Sequence, residues 1–139
     1  MNGARILLVV SGGIAAYKAA ALTSSLVQAG AVVDVILTAE AERFIAPLTF
    51  ASLTARPVYG SLWDAPERIP HIRLVREAQL VLVVPATANL IAKLAHGIAD
   101  DLASTALLAA RIPVLLAPAM NAAMYEHPAT RANLIALQE

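Results

Sequence analysis

Cysteine is absent from this chain of 139 residues. A sequence without thiols has no disulfide framework, no thiolate metal site and no cysteine nucleophile of its own. Charge is also scarce, because charged residues make up 14 % of the chain and ten acidic residues balance ten basic ones. This balance, with no basic cluster, argues against nucleic acid as the main partner.

Long apolar runs are missing as well. Glycine, proline or a charged residue interrupts each apolar stretch before it reaches the length that a membrane-spanning helix needs. The N-terminus enters a strand-like run almost at once and lacks the pattern of a signal peptide. We therefore expect a cytoplasmic protein without a membrane partner.

Apolar side chains are abundant, at 59 % of the sequence. The length predicts one domain over residues 1–139. Such a domain can bury a large core, and the apolar surplus predicts that other subunits cover part of its surface.

Short apolar runs typical of buried parallel strands alternate with helical segments along the chain. These runs are Arg5 to Val10, Ala31 to Leu37, Leu80 to Val84 and Ile112 to Ala117. The alternation predicts an α/β fold with a doubly wound, Rossmann-like or flavodoxin-like parallel sheet.

The helical segments have recognisable ends. They are Ile14 to Ala29, stopped by Gly30; Pro47 to Thr54; a segment closed by Gly97; one capped by Asp100 or Asp101 that runs to Ala110; and a last one that breaks at His127-Pro128. The stretch 55–70 holds three prolines and the single tryptophan, and it is predicted to be an irregular functional loop.

A small-residue turn, Ser11-Gly12-Gly13-Ile14-Ala15, follows the first strand. Its glycines let a ligand approach the backbone, and the free amides of the next helix favour a phosphate. A tight turn that needs small residues explains the motif equally well. The dinucleotide and P-loop fingerprints are absent, which favours a mononucleotide.

Polar side chains also follow the second and third predicted strands. Thr38 can reach the same phosphate, although a helix cap is an alternative role. Thr87 and Asn89, next to Ala88, can bond the polar edge of a planar ring, and Thr87 can equally be an N-cap.

The fourth strand ends in the segment Pro118-Ala119-Met120-Asn121-Ala122-Ala123-Met124. Strand ends of this kind form ligand sites in α/β folds. The two thioethers and the amide suit a flat, polarisable ligand, although methionine is also common as a filler of cores.

Three histidines are scattered along the sequence. His71 follows the irregular loop and has the side chain best suited to proton transfer near neutral pH, although a lone histidine is often structural. His96 and His127 are explained by helix ends. No metal site is predicted, and the charges of Lys93, Asp100 and Asp101 are interpreted as solvated or capping groups.

Together these motifs resemble the homo-oligomeric flavin-containing cysteine decarboxylases over essentially the whole chain. The matching segments, in order, are Ser11-Gly12-Gly13-Ile14-Ala15-Ala16-Tyr17-Lys18, His71-Ile72-x-Leu74, Pro85-Ala86-Thr87-Ala88-Asn89-x-Ile91-Ala92-Lys93, Gly97-Ile98-Ala99-Asp100-Asp101-Leu102 and Pro118-Ala119-Met120-Asn121-x-x-Met124.

The resemblance implies an FMN cofactor and a role for each matching residue. The residues implied in FMN binding are Gly12, Gly13, Ile14 and Thr38 near the phosphate, Thr87, Ala88 and Asn89 at the flavin, and Ala119 and Met120 along its ring. For the chemistry, His71 is the implied acid/base at the substrate carboxylate. Asn121 is implied to bind that carboxylate, and Met124 to shape its pocket.

The branch that acts in coenzyme A biosynthesis matches most closely, which implies conversion of 4′-phosphopantothenoylcysteine, a small phosphorylated substrate, into 4′-phosphopantetheine. The resemblance further implies FMN between the subunits of a homotrimer, which can assemble into a dodecamer. In many bacteria such a domain is fused to a phosphopantothenate–cysteine ligase.

One departure concerns a substrate flap that carries a proton-donating cysteine in these enzymes. This cysteine is missing here, so we expect a fragment or truncated protein that binds FMN without completing the final reduction. Alternatives are a peptidyl-cysteine oxidative decarboxylase, which needs no final reduction, a flavin prenyltransferase, a non-catalytic FMN-binding regulator and a nucleotide-binding module without flavin. Asn121 argues against the prenyltransferase, and an intact His71 argues against the regulator.

Overall fold

The computed structural model describes residues 2–61 and 70–138. Its five strands are β1 (Arg5–Val10), β2 (Val32–Leu37), β3 (Val58–Tyr59), β4 (Leu80–Ala86) and β5 (Val114–Pro118). Its helices are α1 (Ala16–Gln28), α2 (Pro47–Thr54), α3 (Pro70–Glu77), α4 (Ala88–His96), α5 (Leu102–Ala109), α6 (Ala122–Glu126) and α7 (Pro128–Leu137). A 3₁₀ turn, Ala41–Arg43, lies between β2 and α2.

All five strands are parallel and form one sheet in the order β3-β2-β1-β4-β5. Leu7 of β1 lies between Asp34 of β2 and Val81 of β4. The order of strands reverses between β1 and β4, which creates a crevice at their carboxyl ends. The predicted doubly wound parallel sheet is therefore confirmed.

The core lies on both faces of the sheet because side chains of a strand alternate between its faces. Ile6 and Leu8 of β1 pack with α1 and α2 on one face, and Phe50 is the largest fully buried side chain there. Leu7 and Val9 pack on the other face with α3, α4 and α5. Both faces are covered, which explains why the strands consist of continuous apolar runs.

Most of the predicted elements are present with small shifts at their ends. The helix Pro47–Thr54 has the predicted bounds, and Gly97 ends α4 with a left-handed φ of 68°. The interpretation of 55–70 as irregular is wrong at both of its ends, because β3 and the start of α3 lie within it. Residues 62–69 of that stretch are outside the described residues.

Neither a membrane-spanning helix nor a metal-binding cluster is found in the described part of the chain. No helix within residues 2–61 and 70–138 has the length and apolar character to cross a bilayer. The same residues contain no group of three or more histidine and acidic side chains that could hold a metal ion.

Candidate functional site: a cavity at the carboxyl ends of the strands

A cavity of about 610 Å³ opens at the carboxyl ends of β1, β2, β4 and β5. Its volume falls within the range of small-molecule sites, about 300–1,000 Å³. The residues that line it are Ser11, Gly12, Gly13, Ile14, Ala15, Thr38, Glu40, Thr87, Ala88, Asn89, Leu90, Lys93, Asp101, Ala119, Met120, Asn121 and Met124. All of the residues predicted to contact FMN are therefore in one place, together with Asn121 and Met124.

The turn before α1, from Gly12 to Ala15, forms one wall of the cavity and brings the start of the helix next to it. The N-cap of α1, Ala15, has no side-chain cap hydrogen bond, and the first turn of the helix contains no acidic residue. Amides at an uncapped helix start carry partial positive charge and can bind an anion. This end of α1 therefore suits the phosphate that the sequence predicts.

Gly12 and Gly13 differ in the space that the surrounding protein leaves for a side chain. A Cβ on Gly12 would lie 2.3 Å from the Cβ of Glu40 and 3.0 Å from the backbone nitrogen of Ala41. Gly12 is thus required by its contact with the chain after β2. A Cβ on Gly13 would meet its nearest neighbour, Thr87, at 3.6 Å, an ordinary contact. Protein packing thus leaves room for a side chain at Gly13, and the neighbouring residues do not require a glycine there.

Ser11 joins the ends of the two central strands. Its hydroxyl donates a hydrogen bond to the carbonyl of Pro85 and accepts one of 3.1 Å from the backbone N–H of Thr87. The side chain is buried, with 2 % of the residue exposed. Ser11 therefore fixes the width of the crevice between β1 and β4. The sequence motif contained this residue, but only its bonds to a distant strand reveal this role.

The two threonines of the cavity are helix or turn caps. Thr38 Oγ1 accepts a hydrogen bond of 3.1 Å from the N–H of Ala41, and Thr87 Oγ1 accepts one of 3.3 Å from the N–H of Leu90. The capping alternative considered for each threonine is therefore correct. A capping hydroxyl keeps its own proton and a second lone pair, so both side chains can still bond a ligand.

Asn121 is fixed in a similar way at the start of α6. Its Oδ1 accepts a hydrogen bond of 2.9 Å from the N–H of Met124. This bond uses the side-chain oxygen and leaves the two N–H donors of the amide for another group. Asn121 and Met124 both line the cavity, so the donors belong to a residue of the cavity wall.

The end of β5 is tied to β4 beneath the cavity. The N–H of Ala119 donates a hydrogen bond of 3.1 Å to the carbonyl of Ala86, and Met120 after it lines the cavity. Ala88 and Asn89 lie at the start of α4. Together with Met120 they give the cavity a wall of small, apolar and amide groups, the surroundings in which a planar ring is commonly held.

Lys93 and Asp101 line the side of the cavity next to α5, where Lys93 forms ion pairs with two aspartates. Lys93 Nζ lies 3.0 Å from Asp100 Oδ1 and 3.8 Å from Asp101 Oδ2. The hydrogen bond with Asp100 raises the pKa of Lys93, and the same bond lowers the pKa of Asp100. The side chain of Lys93 is 19 % exposed, so the interpretation of Lys93 as a solvated charge is wrong. Asp101 does cap α5, as predicted.

His71 lies apart from the other predicted site residues. It is the second residue of α3 and does not line the cavity. The side chain is partly buried, and its Nδ1 is enclosed without a hydrogen-bond partner among the described residues. The structure therefore brings together every predicted site residue except the one expected to move protons.

Comparison with curated proteins finds relatives over nearly the whole chain. The bifunctional coenzyme A biosynthesis protein CoaBC of Bacillus subtilis is 54 % identical across 100 % of this chain and 35 % of its own length. The chain thus spans about a third of that relative. The probable phosphopantothenoylcysteine decarboxylase of Streptococcus mutans is 46 % identical across 97 % of this chain and 78 % of its own length.

Solved structures share the fold closely. The FMN-dependent cysteine decarboxylase SpaF has a TM-score of 0.91 and 32 % identity, covering 97 % of this chain and 79 % of its own. A PPC decarboxylase variant in complex with pantothenoylaminoethenethiol has a TM-score of 0.86 and 27 % identity, covering 99 % and 78 %. The family model described as Flavoprotein matches residues 1–139, and the chain belongs to the Flavoprotein family.

Proposed function

We propose that this chain is an FMN-dependent decarboxylase of 4′-phosphopantothenoylcysteine in coenzyme A biosynthesis. The observation that carries the proposal is the single cavity in which the sequence motifs for cofactor and substrate meet. The relatives from Bacillus subtilis and Streptococcus mutans, at 54 % and 46 % identity, support the substrate. We infer that the chain corresponds to the decarboxylase part of a bifunctional protein whose other part is a phosphopantothenate–cysteine ligase.

The residues present fit FMN. The uncapped start of α1 suits its phosphate, and Gly13 leaves space for close approach. Ala88, Asn89 and Met120 suit the ring system. When bound, FMN supplies two-electron oxidation of the thiol-bearing carbon of a cysteine-derived substrate, which makes loss of the adjacent carboxylate favourable.

Asn121 orients the substrate in this proposal. The hydrogen bond to Met124 N–H fixes the amide plane, so the free N–H donors point in one direction before the substrate arrives. A preorganised donor binds a carboxylate without the cost of ordering the side chain at that moment. Met124, on the same turn, gives the pocket an adaptable apolar wall.

His71 is proposed to transfer protons at the substrate carboxylate. Since His71 does not line the cavity of its own chain, a second copy has to bring the two together. We propose a homotrimer in which the histidine of one subunit faces the cavity of its neighbour. We also propose that such trimers can assemble further into a dodecamer. The apolar side chains Ile14 and Tyr17, which are 82 % and 63 % exposed beside the cavity, are available for that contact.

A second candidate is oxidative decarboxylation that stops at an enethiol. The 32 % identity to the FMN-dependent cysteine decarboxylase SpaF is the observation that favours it. The match to SpaF is consistent with a shared scaffold. The two candidates share the FMN cavity and the release of carbon dioxide and differ only in the product.

Product analysis tests both candidates. FMN-loaded protein is mixed with 4′-phosphopantothenoylcysteine, and carbon dioxide and thiol products are identified by mass spectrometry. Carbon dioxide with saturated phosphopantetheine supports the first candidate, and carbon dioxide with the enethiol supports the second. Failure to bind FMN or to release carbon dioxide contradicts both.

A further inference from the structure

A polar network connects the helix that carries His71 to the sheet. Arg73, in the first turn of α3, donates from Nη2 to the hydroxyl of Tyr59 at 2.6 Å. Its guanidinium carbon also lies 5.4 Å from the centre of the Tyr59 ring. Tyr59 is the last residue of β3. The first turn of α3 is therefore fixed to the sheet by one hydrogen bond and one cation–π contact to a single residue.

The last turn of α3 is fixed separately. Glu77 accepts a hydrogen bond of 3.1 Å from Arg73 Nη1, and Arg5 Nη2 of β1 lies 3.4 Å from its other carboxylate oxygen. Arg5 also lies 3.5 Å from Asp34, which accepts a bond of 2.7 Å from Arg56. Asp34 is buried with 5 % exposure, so this end of the network is anchored inside the sheet.

The Nδ1 atom of His71 has no comparable polar contact among the residues that the structure describes. A functional histidine is usually oriented by a hydrogen bond from its second ring nitrogen. Here Nδ1 is enclosed and has no partner within residues 2–61 and 70–138. The helix backbone carries the ring, so the placement of the first turn of α3 affects the placement of the imidazole. Arg73 holds this turn of the helix against β3 through its contacts with Tyr59.

We propose that Arg73 and Tyr59 are positioning residues for His71. They do so without contacting substrate or cofactor, by holding the first turn of α3 against β3. The apolar side of α3, formed by Leu74 and Val75, already keeps the helix on the core. Loss of the Arg73–Tyr59 contact therefore changes the placement of His71 more than it changes the fold. This inference rests on the function proposed for His71.

The test uses the full chain with the substitutions Arg73→Met and Tyr59→Phe, and Arg111→Met as a control at an exposed arginine outside α3. Tyr59→Phe is the milder change, because it keeps the aromatic ring and removes only the hydroxyl. The readouts are the NMR signals of the three imidazoles, FMN affinity, and kcat and KM for carbon dioxide release from 4′-phosphopantothenoylcysteine.

We expect both substitutions to move the imidazole signal of His71 while those of His96 and His127 stay unchanged. The kcat should fall about 10- to 100-fold, as expected when a reacting group is misplaced, with KM and FMN affinity unaffected. Arg73→Lys, which keeps the charge over the ring, should recover part of the kcat. The control should behave as the original chain.

An unmoved His71 signal, or a uniform loss of FMN affinity, KM and kcat, would overturn the inference. The NMR measurement distinguishes failure of the positioning role from failure of the proposed function. If the unmodified chain releases no carbon dioxide, the proposed function fails. The movement of the His71 signal in Arg73→Met and Tyr59→Phe then decides alone whether these residues position the imidazole.

Discussion

Asn121 accepts a hydrogen bond of 2.9 Å from the backbone N–H of Met124 through its side-chain oxygen. The bond caps α6 and, at the same time, determines which atoms of the amide remain for a ligand. Capping and substrate binding therefore use different atoms of one side chain. A substitution can separate the two roles.

Asn121→Asp should preserve the fold and abolish the proposed activity. Aspartate caps a helix as well as asparagine, so the free energy of unfolding should change by less than about 0.5 kcal/mol. The substitution removes both N–H donors and places a negative charge next to the substrate carboxylate. Carbon dioxide release should fall at least ~100-fold with FMN still bound. Asn121→Ala, measured by urea denaturation, should cost about 1 kcal/mol because the cap is lost.

The two glycines of the first turn should respond differently to alanine. Gly12→Ala forces a Cβ against the chain at Glu40 and Ala41, so it should lower the free energy of unfolding by about 1–3 kcal/mol without any ligand. Gly13→Ala should leave that free energy almost unchanged and weaken FMN binding, as measured by fluorescence titration. Equal FMN affinity in Gly13→Ala and the original chain would contradict the assignment of this turn to the phosphate.

Ser11→Ala should lower the free energy of unfolding, because Ser11 joins the ends of the two central strands. The substitution leaves the carbonyl of Pro85 and the N–H of Thr87 without their partner, and each unsatisfied buried group costs about 1–3 kcal/mol. Ser52→Ala, at an exposed position of α2, serves as a matched control and should have little effect. Similar urea midpoints for the two variants would show that Ser11 does not join the strands.

The ion pair of Lys93 and Asp100 should make a pH-dependent contribution to stability. The folded-state pKa of Asp100 is lowered from 3.8, so its contribution is present above that value and is lost as the pH falls below it. The folded-state pKa of Lys93 is raised from 10.5, so its contribution is present below that value and declines as the pH rises above it. Asp100→Asn should therefore be less stable than the original chain at neutral pH and equally stable in strong acid. A difference that persists in acid, in urea denaturation followed by circular dichroism, would contradict this account.

The parts of the fold that sequence reasoning predicted are those set by local patterns. Continuous apolar runs such as Arg5–Val10 indicate strands that are buried on both faces, and Pro47 at the start of α2 fixes the beginning of that helix. The strand β3 was missed because it has only two residues and lies between Pro57 and Gly60. The start of α3 is not apparent from the sequence, because Pro70 follows a proline-rich stretch that is typical of a loop.

The candidate site likewise contains some residues that local sequence patterns indicate and others that they do not. Thr87 and Asn121 each follow a predicted strand and could be named from local motifs, and they meet because the carboxyl ends of parallel strands share one edge of the sheet. The partner of Gly12 and the cavity-facing position of Lys93 depend on contacts between segments far apart in sequence, and no local pattern encodes those. The separation of His71 from the cavity also depends on how distant segments pack, and no local pattern encodes it.

The central claim is tested most directly by single-turnover release of carbon dioxide. The FMN-loaded chain and its His71→Asn variant are each mixed with 4′-phosphopantothenoylcysteine, and carbon dioxide is measured against bound FMN. The account predicts release stoichiometric with FMN for the original chain, and none for the variant although its FMN content is the same. Absence of carbon dioxide from the FMN-loaded original chain, or equal release by the variant, would contradict it.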